Sequence, residues 1–193
     1  MALAMTGYRW VVVFLAALLL ALPAIQPASA NDTHACTLLP SEKSEDLPVR
    51  EVISDQVFDE LIGWLAIHTA YNLKLTYQSP PSVSFCVVGE IIAYEDHELI
   101  VEKELRAAFD YPHRRIFLVR PWSKDDLFDL SVLLHELIHD VQLHNRDWEC
   151  AGAPELEAYR LQDRWLRSHG IAHAFDWKVI LHLSKCSGEN APD

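Results

Sequence analysis

The chain has 193 residues, of which 50% are hydrophobic, and carries a formal net charge of −12 at pH 7. This length and apolar content suffice for one domain with a substantial core. Acidity of this size argues against nucleic acid or an anionic membrane surface as the partner, because both are bound through clustered lysines and arginines.

The first 30 residues have the layout of a secretory signal peptide. Arg9 supplies a positive charge, Val11 to Leu22 form an unbroken apolar run, and Ala28-Ser29-Ala30 offers a small-residue cleavage site. The alternative is a membrane anchor, but the run is shorter than the about 20 apolar residues that cross a bilayer. We therefore expect cleavage after Ala30, a secreted or periplasmic product, and no stable membrane insertion after cleavage.

The cysteines also suit an exported protein. An even number of cysteines in an exported chain predicts disulfides, and this chain has four, namely Cys36, Cys86, Cys150 and Cys186. Three pairings are possible, and we expect Cys36–Cys86 and Cys150–Cys186, the second tying the C-terminal segment to the loop after the predicted metal-binding helix. No two cysteines form a C-x-x-C pair, which argues against cysteine as a zinc ligand.

The first half of the chain predicts a leader, a helix and several strands. Residues 31–48 are polar and contain prolines, which predicts a flexible leader before a single domain at 49–193. Apolar residues recur near helical spacing from Val49 to Leu75, which predicts one long helix. Runs rich in β-branched residues predict strands, and these are Val83–Val88, Ile91–Tyr94, Leu99–Val101 and Arg115–Val119.

The second half predicts three helices. Ser123 is followed by an acidic residue three positions later, which predicts an N-cap for a helix that runs to about His144. Pro154 can occupy the first turn of the next helix, which should end near Gly170, and a last helix should cover Ile171 to Leu183. With no repeats or low-complexity linker, the sequence predicts one α+β domain.

The helix before His144 carries the pattern His135-Glu136-Leu137-Ile138-His139. Two histidines four residues apart lie only about 40° from each other around a helix, so their imidazoles can converge on one ion. Glu136 lies about 100° from His135, where it can reach a zinc-activated water without binding the metal itself. The alternative is a core helix with hydrogen-bonded histidines, but burying these three polar groups without partners would be unfavourable.

A catalytic zinc commonly takes a third protein ligand. His144 is five residues from His139 and therefore faces away, at about 140° around the helix. The better candidate is Glu155, which lies within about 40° of Tyr159 and Gln162 on the inward face of the next helix. The competing Glu157 shares its side of the helix with three arginines, Arg160, Arg164 and Arg167, which predicts a solvated surface. A first-turn glutamate favoured by the helix dipole is the alternative interpretation of Glu155.

Residues 115–166 resemble the gluzincin branch of the zincin metallopeptidases, in which an edge strand, an H-E-x-x-H helix and a glutamate-bearing helix follow one another. Glu155-Leu156-Glu157-Ala158 fits the E-x-x-A pattern of that branch. The resemblance implies a small zincin-like domain, with a short, mostly antiparallel sheet packed on the H-E-x-x-H helix. It implies one Zn²⁺ held by His135, His139 and Glu155, with Glu136 as the general base.

The chain departs from the gluzincin pattern at Tyr159, where many relatives have an aspartate that orients a histidine ligand. Tyr159, Gln162 or Asp163 is expected to take over that role. Gln142 lies about 20° from His135 and could bind substrate or a ligand, although a plain polar residue at a helix end is an equal alternative. Five further residues are weaker candidates for the site and are more simply loop or helix residues. They are Tyr111, His113 and Arg114, one of which could stabilise the oxyanion, together with His173 and His182.

These features predict an exported zinc hydrolase that cleaves a peptide or another amide bond in a peptide or protein substrate. The alternative is a non-catalytic module in which a zincin scaffold binds a protein or a metal without turnover. A disulfide-stapled structural domain without metal is a third and weaker hypothesis.

Overall fold

The structure is a computed structural model, and it describes residues 53–186. The predicted signal peptide at 1–30 and leader at 31–48 lie outside this range. Within it the chain forms five helices and five strands, which are α1 Asp55–His68, α2 Lys74–Gln78, β1 Ser82–Cys86, β2 Ile91–Tyr94, β3 His97–Ile100, β4 Ala107–Asp110, β5 Arg115–Val119, α3 Leu127–Asn145, α4 Glu155–Ser168 and α5 Trp177–Leu183. The predicted α+β class is confirmed.

The main sheet has the strand order β1-β5-β4, so β5 is the central strand. β5 pairs in parallel with β1 and antiparallel with β4, and a separate hairpin joins β2 to β3. The predicted strand Arg115–Val119 is confirmed, but its assignment to the sheet edge is wrong, because β4 lies outside it. The sequence did not reveal β4, since all four of its residues are buried and no apolar–polar alternation marks it.

The long helix predicted from Val49 to Leu75 is wrong, because α1 ends at His68 and α2 begins only at Lys74. Thr69 leaves helical geometry, and its hydroxyl donates to the Leu65 carbonyl at 2.9 Å. Beyond it, the Asn72 side chain accepts from the Lys74 N–H at 3.0 Å. Such local side-chain bonds favour a turn over a continuous helix.

Helix α3 is the central element of the described domain. Asp126 caps its N-terminus by accepting from the N–H groups of Phe128 and Asp129, so the predicted N-cap at Ser123 is wrong. Every residue from Ser131 to Gln142 is buried. Its apolar side chains pack with α1, α4 and the sheet in one core cluster. Polar residues inside this stretch are therefore withdrawn from bulk water.

The C-terminal segment begins its helix later than predicted. The expected helix from Ile171 is replaced by α5, whose N-cap Asp176 accepts from the N–H groups of Lys178 and Val179. This segment packs closely on the loop before α4. A Cβ atom at Gly152 would lie only 2.4 Å from the Leu183 carbonyl oxygen, so this position requires glycine.

One of the two predicted disulfides is present. Cys150 and Cys186 form a bridge that ties the segment after α5 to the loop before α4, as predicted. Cys86 is instead a free thiol, 1% exposed, whose Sγ donates to the Leu118 carbonyl at 3.6 Å. The predicted bridge between Cys86 and Cys36 is therefore wrong, since packed neighbours enclose the Cys86 sulfur. Cys36 itself lies outside the described residues.

A buried ion pair fixes α3 against its surroundings. The Asp140 carboxylate, fully buried, accepts from Arg114 Nε at 2.8 Å and from the Arg114 guanidinium Nη2 at 2.9 Å. It also accepts from the Thr76 hydroxyl at 2.7 Å. Arg114 lies in the β4–β5 turn and Thr76 lies in α2, so the Asp140 carboxylate holds both elements against α3. Asp140 directly follows His139, so these contacts lie beside the histidine.

Replacing Arg114 with methionine should lower the free energy of unfolding by about 3–5 kcal/mol, because the buried Asp140 carboxylate would lose the guanidinium that compensates its charge. Denaturant unfolding measures this loss. The double variant R114M/D140N removes the charge as well and should recover part of the stability. As a control, Lys124→Met breaks an exposed pair with Asp125 and should change stability little. Equal losses for R114M and K124M would contradict the assignment.

Candidate metal centre

Two histidines and one glutamate meet in the interior. The Nε2 atoms of His135 and His139, one turn apart on α3, lie 3.0 Å from each other. Glu155, the first residue of α4, places one carboxyl oxygen 3.4 Å from His135 Nε2 and the other 3.2 Å from His139 Nε2. One ligand atom from each residue lies within 4.8 Å of the others, a spacing that can hold one metal ion. The structure thus brings together the three predicted ligands.

The approach of α4 to α3 creates this cluster. Ala158 and Leu166 of α4 are fully buried in the core that α3 shares. The start of α4 is held by the Gln142 side chain, whose Nε2 donates to the Pro154 carbonyl at 3.1 Å. Because Glu155 directly follows Pro154, that bond also sets where the carboxylate enters the core.

The Glu155 carboxylate is the unusual group in this cluster. The residue is 4% exposed, and within the described part of the chain no N–H or O–H is aligned to hydrogen-bond either of its oxygens. Burial raises its pKa, but the effects of nearby His139 and His135 together outweigh burial and hold the pKa well below its usual range. A buried carboxylate held in its charged form needs a cation beside it.

The proton on His139 supplies that cation when no metal is present. Burial lowers the pKa of His139, but the carboxyl groups of Glu155 and Glu136 and the Gln142 amide together outweigh burial and raise the pKa to about 9. A divalent ion held by His135, His139 and Glu155 would take the place of the proton and balance the charge of Glu155. The donor set therefore fits zinc, which binds histidine nitrogen and carboxylate oxygen.

Gln162 orients His135. Its Oε1 accepts from His135 Nδ1 at 3.0 Å, and its Nε2 donates to the Ser131 hydroxyl oxygen at 2.9 Å. The Ser131 hydroxyl in turn donates to the Phe128 carbonyl at 2.6 Å, so its oxygen must accept from the amide. This fixes which end of the amide faces the histidine. His135 then carries its proton on Nδ1 and leaves the Nε2 lone pair for the cation.

Gln142 orients His139 by the same logic. Its Oε1 accepts from His139 Nδ1 at 3.1 Å, while its Nε2 donates to the Pro154 carbonyl and to the Glu157 carboxylate at 3.0 Å. Both partners of the NH₂ group are acceptors only, so the amide cannot turn round. Of the two roles weighed for Gln142 from the sequence, the structure shows it bonded to a candidate ligand.

Tyr159 contacts the cluster through its ring rather than as a replacement for aspartate. The ring packs edge-on against His135, with centroids 4.5 Å apart, and Phe175 packs on its other side at 5.3 Å. Asp163 pairs with Arg167 at 2.7 Å, not with a histidine of the cluster. The role of orienting the histidines thus belongs to the two glutamines.

Glu157 lies on the partly exposed face of α4 beside Arg160 and Arg164, as predicted, but its bonds go to residues of other elements. One of its oxygens accepts from the Tyr71 hydroxyl at 2.5 Å, from Gln142 Nε2 and from an Arg146 guanidinium Nη2 at 3.1 Å. Its side chain is 40% exposed. These partners come from the α1–α2 connection and from the end of α3. Helical geometry on α4 alone therefore could not reveal them.

Glu136 lies next to the cluster and opens to a cavity. The residue is 4% exposed, and burial raises the pKa of its carboxyl group. A cavity of about 150 Å³ is lined by Glu136 together with His135, Tyr159 and Gln162. The apolar part of its wall comes from Ala107, Phe128 and Val132, and Glu104 and Arg106 complete it. A carboxylate beside a cation site and a cavity is positioned to exchange a proton with a bound molecule.

The other sequence candidates are engaged elsewhere or lie on the surface. Arg114 is bound to Asp140, and His113 contacts Asp110 at 3.0 Å. Tyr111 packs edge-on against His144, with ring centroids 5.4 Å apart. His173 and His182 are exposed on the C-terminal segment. None of these residues lines the cavity beside Glu136.

Sequence reasoning missed two parts of the site. Ser131 lies four residues before His135 and could have been found as a same-face neighbour at helical spacing. The wall formed by Glu104, Arg106 and Ala107 depends on β4, which left no periodic signal in the sequence.

The fold and the cluster define an α+β domain with a buried His-His-Glu group that can hold a metal. The chain belongs to a family described as a domain of unknown function (DUF6647), which matches residues 51–193. No curated protein and no solved structure matches the chain.

Replacing Gln162 or Gln142 with leucine should weaken the affinity for a divalent cation by about 10–100-fold, because the histidine loses the partner that fixes its ring. Competition with a chromophoric chelator measures the affinity. Gln56→Leu is the matched control, since Gln56 is exposed and its amide donates to Glu60. Unchanged affinity in both buried-glutamine variants would show that these amides do not orient the ligands.

Proposed function

We propose that this protein is an exported zinc-dependent hydrolase that cleaves a peptide bond or another amide. The observation that carries the proposal is the buried Glu155 carboxylate, which faces two imidazole nitrogens at 3.2 and 3.4 Å while neither of its oxygens accepts an aligned hydrogen bond from the described residues. A structural core would satisfy or exclude such a charge. Together with Glu136 at a cavity, it supports a metal-dependent catalytic site.

In this proposal different residues bind the metal, orient its ligands and transfer the proton. His135, His139 and Glu155 would hold the ion, and the amides of Gln142 and Gln162 keep both imidazoles in the tautomer that presents Nε2. Zinc, when bound, supplies Lewis acidity that lowers the pKa of water and polarises a carbonyl group. Glu136 accepts the proton of the attacking water and passes it to the leaving nitrogen. Burial raises the pKa of Glu136 above that of an ordinary glutamate, which suits a group that both takes and gives a proton.

The cavity and the neighbouring strand support a peptide or protein substrate. In the described sheet β4 pairs with β5 on one side, and its other edge carries no strand. Ala107 of this strand lines the cavity beside Glu136. An extended chain can add to such an edge through main-chain hydrogen bonds, while a side chain enters the apolar cavity.

Export is supported by the Cys150–Cys186 bridge, because disulfides persist in oxidising compartments. No helix of the described residues is both long and apolar enough to cross a bilayer.

The proposal predicts about one zinc per chain and a separable role for Glu136. Elemental analysis of the purified protein measures the metal, and mass spectrometry of a digested peptide library measures turnover. Glu136→Gln should keep the metal but lower turnover by about 10²–10⁴-fold, because the proton acceptor is lost while the ligands remain.

His139→Gln and Glu104→Gln are the companions of this test. The first should lose the metal and the activity together. Glu104→Gln removes the charge of another carboxylate that lines the cavity, and it should retain the metal. This variant therefore distinguishes the effect of losing a negative charge from the effect of losing the base. Zinc retained without hydrolysis of any amide substrate would favour the non-catalytic scaffold. A chain without zinc, whose thermal stability chelator leaves unchanged, would overturn the metal site itself.

A further inference from the structure

A second cleft lies on the other side of α4 from the cluster. It has a volume of about 680 Å³ and runs between the C-terminal end of α1 and the outer face of α4. Its lining includes Arg146, Arg160, Arg164, His68 and Tyr71, together with Glu157. Glu155 and Glu157 project about 160° apart around α4, and neither Glu155 nor Glu136 lines this cleft.

This cleft is positively charged, whereas the chain as a whole is negatively charged. The protein has a net charge of −12, yet three of its arginines line one cleft. The carboxylate that shares the cleft, Glu157, is already bound by Tyr71, Gln142 and Arg146. Within residues 53–186, Arg160 and Arg164 have no carboxylate partner, although neighbouring like charges one turn apart disfavour a helix. The cleft therefore carries positive charge that the described chain does not neutralise.

Two side chains of the cleft are held in place before any ligand arrives. The Arg146 guanidinium stacks on Trp148, 3.6 Å from the ring centroid, and bonds Glu157. The His68 ring stacks on Trp64 with centroids 4.0 Å apart, and its Nδ1 lies 2.8 Å from the Trp64 carbonyl oxygen. The stacking and this bond together fix the orientation of the His68 ring. Such fixed groups lose little conformational entropy on binding.

We propose that this cleft binds an anionic group, a carboxylate or a phosphate, of a small organic molecule. Guanidinium groups bind both oxyanions through paired N–H donors. The cleft is larger than a bare anion requires, and Leu161 and Ala70 add apolar surface to its lining for the body of the ligand. The site is distinct from the proposed hydrolase centre and does not depend on it.

The test is titration calorimetry on the purified full chain at low salt, with inorganic phosphate in one arm and succinate in the other. One of the two anions should bind saturably with a Kd of about 1 mM or tighter. The tighter arm identifies the natural head group as phosphate or carboxylate. R160Q/R164Q should weaken that binding by about tenfold or more, because two charge-assisted contacts are lost.

The control K103Q/R120Q removes the same number of positive charges from exposed residues outside the cleft. It should leave the Kd within about twofold of the wild-type value. Thermal unfolding and zinc content of R160Q/R164Q should match the wild type, which shows that the variant folds. The proposal is overturned if neither anion binds the wild-type chain, or if both double variants lose binding equally. Neither result bears on zinc binding or on Glu136.

Discussion

Charge balance in a water-poor interior is the constraint on which the site depends. Glu155 is held ionised among groups that are each about 4% exposed, and a single uncompensated charge there would be strongly unfavourable. Without a metal, the raised pKa of His139 supplies one positive charge for Glu155, and the raised pKa of Glu136 favours its neutral form. With zinc, two neutral imidazoles and Glu155 would leave one positive charge, which an ionised Glu136 balances. The site would thus be electroneutral in both states, when the zinc ion is counted in the second.

Gln142 and Gln162 affect the donor strength of the histidines and the charge of the centre differently from the carboxylates that could take their place. A carboxylate bonded to Nδ1 pushes electron density into the imidazole and makes it a stronger donor to the metal. A neutral amide fixes the tautomer with less of that effect, so a zinc ion held here would keep more of its Lewis acidity. It also adds no further negative charge to an interior that already contains Glu136 and Glu155. The tyrosine at position 159, where an aspartate was expected from the resemblance, agrees with this distribution of charge.

The sequence was sufficient wherever one helix determines the geometry. The spacing of His135 and His139 follows from helical periodicity alone, and so do the inward placement of Glu155 and the face that it shares with Gln162. It failed where partners come from other elements. The partners of Glu157 were missed because Tyr71 and Arg146 lie outside α4, and β4 was missed because a fully buried strand shows no alternation. The break after His68 depends on side-chain bonds from Thr69 and Asn72, which apolar periodicity does not register.

Adjacent glutamates on α4 show how one helix separates two environments. Glu155 and Glu157 differ by two positions, so they project to nearly opposite sides, one toward the histidines and the other toward the arginine-lined cleft. Gln142 is the connection between them, because its amide bonds both His139 and Glu157. Arg146 competes with Tyr71 and Gln142 for the same Glu157 oxygen. Three donors therefore meet on one Glu157 oxygen, and one of them, the Gln142 amide, also positions His139.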